Sequence, residues 1–153
     1  MLNKKIIVLI LFISFFANSQ VIITEVMFDT AGAEYHDEFV EIYNNTENIV
    51  DLSGWMLSDD AETDILIKYT GFDDMLLQPN QYCLIMDSSY DLNSTYYELL
   101  IPDSTLRVII NDGSFGQYGL NNSTPETVSI FDPDSLIVDS YEYTIDQTPG
   151  YSD

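Results

Sequence analysis

The stretch 48-NIVDLSGWMLSDD-60 decides the fold. Val50 and Leu52 alternate as in a strand, and so do Trp55 and Leu57, yet the first pair is even-numbered and the second odd. Side chains on a strand have a period of two, so all four can share one face only if an extra residue is absorbed between the pairs. The reading places a β-bulge at Ser53-Gly54, with Gly54 in the left-handed conformation that glycine adopts without strain. Trp55, the single tryptophan of the chain, then becomes a core anchor on a bent strand.

Outward from this stretch the chain is a succession of short β-like runs: residues 21–28, 38–44, 48–58, 64–69, 81–86, 96–101, 106–111, 126–131 and 136–144. Turn signals punctuate them at Asn44-Asn45, Gln78-Pro79-Asn80, Asn111-Asp112-Gly113 and Asp132-Pro133-Asp134-Ser135. Residues 87–95 and 112–123 read as long loops, and no segment keeps a helical apolar period for three turns. Many short strands with regular turns predict an all-β protein, an antiparallel β-sandwich of immunoglobulin-like type.

Residues 1–19 have the pattern of a secretory signal peptide: Lys4 and Lys5, an apolar run from Ile6 to Phe16, then Ala17 and Ser19. The run is shorter than the roughly 20 residues a membrane span needs. Residues 20–153 then form one domain, with no membrane insertion after cleavage. That domain carries 26 acidic side chains against Lys68 and Arg107 alone, so the clustered cations that nucleic-acid binding rests on are missing. Such a charge suits solubility outside the cell and divalent cations that bridge carboxylates. The expected location is secreted, periplasmic or at the cell surface. Cys83, alone in the chain and set in the apolar run QYCLIM, reads as a buried inert thiol.

Four blocks carry a family resemblance: ITEVMF (23–28), DEFVEIYNNTENIVDLSGWMLSDD (37–60), LLQPNQYCLIM (76–86) and GLNNSTPETVSIFDPDSLIVDSYEYT (119–144). Together they resemble the lamin tail domain in its bacterial, secreted form. Ile23 to Glu25, Glu38 to Asn44 and Val50 to Trp55 fit the family's early block in order and spacing. The resemblance implies an immunoglobulin-like β-sandwich and no active site. In bacteria such domains accompany larger secreted or surface proteins as accessory or adhesive modules.

The residues themselves favour a non-catalytic protein. His36 lies in the polar stretch AEYHDE and nothing pairs it with Cys83 or a serine as base and nucleophile. Zinc would need more His or Cys ligands than the chain holds. Glu25 and Glu41 are unusual in standing within strands; Glu41 falls opposite Val40 and Ile42 and reads as a solvent-facing carboxylate or, more sharply, a hydrogen-bond acceptor or cation ligand. Tyr96, Tyr97, Tyr118, Tyr141 and Tyr143 are the candidates for an aromatic binding platform. Asp59, Asp60, Glu62 and Asp64 are the candidate metal ligands, with three of them at i, i+2 and i+4, a spacing by which a turning loop converges oxygens on calcium. No cofactor is required, and calcium is the one for which the sequence offers a site. The expected function is an interaction module for an extracellular protein or glycan; the rival is a calcium-dependent carbohydrate-binding or accessory module of a secreted hydrolase.

Export predicts a processed N-terminus. The intact mass of the exported protein should correspond to a chain beginning at Gln20; a secreted form that still carries Met1 to Phe16 contradicts the leader.

Overall fold

Alternation of apolar and polar side chains translates directly into strands in the computed structural model, which describes residues 21–31, 37–90, 98–145, 148 and 150–153. The strands are β1 (Val21–Met27), β2 (Phe39–Asn44), β3 (Val50–Asp51), β4 (Met56–Ser58), β5 (Thr63–Lys68), β6 (Leu76–Leu77), β7 (Tyr82–Met86), β8 (Leu106–Ile110), β9 (Glu126–Phe131) and β10 (Ile137–Tyr143). Eight of them are hydrogen-bonded in the order β1-β2-β7-β8-β5-β4-β9-β10, and β3 pairs with β6 alone. β5 turns this ribbon into a sandwich. Its first half, Thr63 to Ile65, pairs with β4, and its second half, Leu66 to Lys68, pairs with β8. One layer is therefore β1-β2-β7-β8 and the other β4-β9-β10, with Val26, Val40, Ile42, Leu57, Leu66, Ile85, Val108, Val128 and Ile130 buried between them.

Trp55 lies in that core at 6% exposure, as its parity requires. The device that puts it there differs from the expected bulge. β3 and β4 are separate strands in separate sheets, and between them residues 52–55 form a turn in which the Trp55 N–H donates to the Leu52 carbonyl at 3.1 Å. Gly54, at φ 77°, occupies the third position of the turn, where a positive φ is needed. A turn shifts parity as a bulge does, but it also lets the chain leave the β3-β6 pair and enter the main sheet.

Bulges occur elsewhere, in β10 between Ile137 and Asp139 and in β1. Ile23 pairs with Ile42 and Glu25 pairs with Glu41, so Thr24 is the extra residue. Before it, odd-numbered Val21 and Ile23 face inward; after it, even-numbered Val26 does, and Glu25 is turned to the outer face of the sheet. Asn44 ends β2 with a fully buried amide. Its Nδ2 donates to the carbonyls of Asn48, Leu77 and Gln78, and its Oδ1 accepts from the Thr46 N–H and hydroxyl, tying the turn after β2 to the end of β6.

The expected antiparallel sandwich is thus present, with one parallel pair within it, β7-β8, and one expected strand is corrected. Parallel neighbours need a long crossover, and of the residues between β7 and β8, Tyr90 and Ile101 pack on Met27, Phe39, Leu84 and Met86 at the outer face of the β1-β2-β7-β8 layer. Within that crossover the predicted strand at residues 96–101 is absent from its described part: Glu98–Leu100 is a single 3-10 turn. It has no ladder to join. Pro102 follows within two residues of it, and the Glu98 carboxylate is held by Arg107 at 2.9 Å and by the Tyr90 hydroxyl at 3.0 Å.

Replacing Trp55 with alanine should cost about 3–5 kcal/mol, read by denaturant unfolding. The native protein should show blue-shifted tryptophan emission. A Cβ at Gly54 would meet only Pro133 at 3.7 Å, an ordinary contact, so the cost of Gly54→Val comes from the positive φ and should be about 1–3 kcal/mol.

Candidate functional site

The predicted metal residues sit at one end of the sandwich, beside residues 111–125. Asp59 caps its own turn: Oδ1 accepts the N–H groups of Ala61 and Glu62 at 3.1 and 3.0 Å. Asp60 takes φ 72° and is exposed, as is Glu62. Asp64 is already part of β5, on the inward parity of Leu66, and its Oδ2 accepts the Gly116 N–H at 3.3 Å. The four are thus not brought together: Asp59 and Asp64 are buried while Asp60 and Glu62 face solvent. Among the described residues no group of three or more His, Cys, Asp or Glu side chains is placed to hold a metal ion. The strand begins at Thr63, midway through the i, i+2, i+4 series, which turns Asp64 inward.

What the acids do instead is seat an irregular loop. Gly116 approaches so closely that a Cβ there would lie 1.8 Å from Asp59 Oδ2. The Glu38 carboxylate accepts the Leu120 N–H at 3.1 Å. Glu126 accepts the Asn121 N–H at 3.1 Å and the Tyr143 hydroxyl at 2.8 Å. Tyr143 is fully buried and stacks on Phe28 with ring centroids 4.7 Å apart, so it belongs to the core and not to a ligand platform. Tyr118 does project from the loop, 84% exposed, and Tyr141 is partly exposed with its hydroxyl on Asp153. The predicted platform therefore does not assemble from its described members; Tyr96 and Tyr97, like His36, lie outside the described residues. Burial raises the Asp64 carboxyl to about 6, with Glu62, Asp112 and Asp59 adding repulsion against the Gly116 hydrogen bond. Cys83 is fully buried, and burial pushes its thiol far up, which keeps it unreactive.

A second region lies on the outer face of the β1-β2-β7-β8 layer, beside the residues that follow the 3-10 turn. Across the strands, Glu25 stands opposite Glu41 and Met27 opposite Phe39, while Leu84 neighbours Glu41 from β7. Leu100, Ile101 and Pro102 form the facing wall of a groove of about 320 Å³. Glu41 is half-buried in its floor, and one of its carboxylate oxygens accepts the Thr24 hydroxyl at 2.7 Å. Burial, helped by the charge of Glu25, raises the Glu41 carboxyl above its ordinary range despite that hydrogen bond. The sequence had singled out both glutamates; it had not supplied Met27, Phe39, Leu84 or the wall. The usable signal was the unbroken apolar run in QYCLIM, since a strand apolar on both parities is covered on both faces.

These features define an immunoglobulin-like all-β module built around a two-layer core, with acid-seated loops at one end and a groove on one outer face. The sequence model named Lamin Tail Domain matches residues 15–144, and the chain belongs to that family. No curated protein matches the chain.

The raised Asp64 has a defined consequence. The folded state holds this proton more tightly than the unfolded chain, so stability falls as pH rises from 3.8 through about 6. Asp64→Asn should flatten that part of the pH profile and, at pH 7, raise Tm by roughly 4 °C, about 1 kcal/mol. Thermal unfolding from pH 4 to 8 checks it.

Proposed function

We propose that this lamin tail domain is an exported, non-catalytic interaction module that binds a partner protein outside the cell or at its surface. The observation that carries the reading is the outer-face groove, an apolar recess with two carboxylates, set apart from the acids Asp64, Glu38 and Glu126 that hold the loop at the end of the sandwich. Its walls are side chains suited to contact, Met27, Phe39, Leu84 and Ile101, and its lining includes the exposed Leu100. Export is supported by the leader pattern of residues 1–19 and by the strongly acidic remainder of the chain.

The carbohydrate-binding alternative draws on Tyr118, which stands exposed among hollows lined by Glu38, Asp59 and Glu126. One experiment separates the two readings. Exported protein, labelled and added to the cells that produce it, should bind sites destroyed by trypsin treatment of those cells and unaffected by EDTA, and should bind no sugar on a glycan array with or without calcium. Calcium-dependent array binding that Tyr118→Ala abolishes would establish the alternative instead.

A further inference from the structure

The chemistry of the groove restricts what it can hold. Glu25 and Glu41 are paired directly across β1 and β2, and like charges at such a position repel. Neither of the two lysines and arginines of residues 20–153 relieves them: Arg107 Nη1 is bound to Glu98 at 2.9 Å, and Lys68 Nζ reaches the Asp73 carbonyl at 3.5 Å. A cationic group on a bound molecule would complement the pair where these side chains do not. A bare calcium ion fits poorly, because it takes six to eight oxygens and the remaining walls are mostly Met27, Phe39, Leu84, Leu100 and Ile101. A sugar fits poorly too, since its hydroxyls would lose water against those same side chains. A lysine or arginine fits on both counts, with an apolar stem and a cationic head.

Resting on the reading of the domain as a protein-binding module, we propose that the groove receives a lysine or arginine side chain from an extended, otherwise apolar segment of the partner protein. The stem lies along Met27, Phe39 and Leu84, the head meets Glu25 and Glu41, and the flanking apolar residues cover the exposed Leu100. The volume, near the lower end of the roughly 300–1,000 Å³ of ligand pockets, suits one or two side chains and not a folded surface.

The test uses random linear heptapeptides displayed on phage and selected on the exported protein. The peptides enriched should share a lysine or arginine flanked by apolar residues. Synthetic copies should bind the Glu25→Gln, Glu41→Gln double variant at least about tenfold more weakly, with most of the loss in dissociation rate. Asp73→Asn with Asp74→Asn removes the same net charge elsewhere and should leave binding within about twofold. Trp55 emission and Tm verify that each variant is folded. Should either glutamine variant alone fold poorly, Leu100→Ser at the exposed rim gives the same readout. Enrichment of peptides without a basic residue, equal losses in both charge variants, or no enrichment overturns the inference. The cell-binding assay keeps the two readings apart: trypsin-sensitive binding that survives Glu25→Gln, Glu41→Gln defeats the groove proposal alone, while absence of such binding defeats the module reading.

Discussion

Every strand in this sandwich obeys the same constraint: successive side chains must go to opposite faces, so a chain that changes which parity faces inward must spend a residue to do so. This chain does it at Gly54 by a turn and at Thr24 by a bulge. The first change delivers Trp55 and Leu57 to the core after Leu52 has already been placed there. The second rescues the core from a carboxylate. With a regular β1, the inward parity of Val21 and Ile23 would continue to Glu25; the bulge hands that place to Val26 and sets Glu25 beside Glu41 on the outside. The groove is a product of the same correction that keeps the interior apolar.

Acidic side chains have a second role at the end of the sandwich. Residues 111–125 form no ladder with a neighbouring strand, and their backbone N–H groups need acceptors. Glu38, Asp64 and Glu126 provide them at Leu120, Gly116 and Asn121, from β5, β9 and the residue just before β2. The loop is thus registered against several elements at once. Carboxylates are strong acceptors for this purpose, but holding them half or wholly buried costs solvation, and Asp64 and Glu126 respond with raised proton affinity. The high acid content of the chain is in part architectural.

Legibility in the sequence followed from how local each determinant was. The strand runs, the turns at Gln78 to Asn80 and Asp132 to Ser135, the core position of Trp55 and the outer position of Glu41 all rest on alternation or turn chemistry within a few residues, and all could be read. Residues 96–101 misled because Tyr, Leu and Ile favour strands only where a ladder exists, and the described part of this segment lies across a sheet face instead. The placement of the four acids was not legible, because spacing is silent on where a strand begins: Thr63 starts β5, which swings Asp64 inward and leaves Asp60 outside. The groove was least legible of all. Its floor comes from three strands and its wall from a crossover whose course depends on β7 and β8 running parallel, a pairing that no local pattern encodes.

The edges of the two layers, β1 and β10, are joined by side chains together with backbone pairing to residues 150–153. Asp139 accepts the Ile23 N–H at 2.8 Å, while Asp153 exchanges two backbone hydrogen bonds with Val26 and takes the Thr144 hydroxyl and the Tyr141 hydroxyl on its carboxylate. Asp153 and Val26 are separated by almost the whole domain, so this closure belongs to the slowest class of contacts to form. Residues 150–153 must have been made before β1 can be shut in. Until then the first strand stays accessible and the sandwich stays unzipped along one side. For a polypeptide proposed to cross a membrane by its leader, that order of events keeps the chain threadable for as long as it is being made.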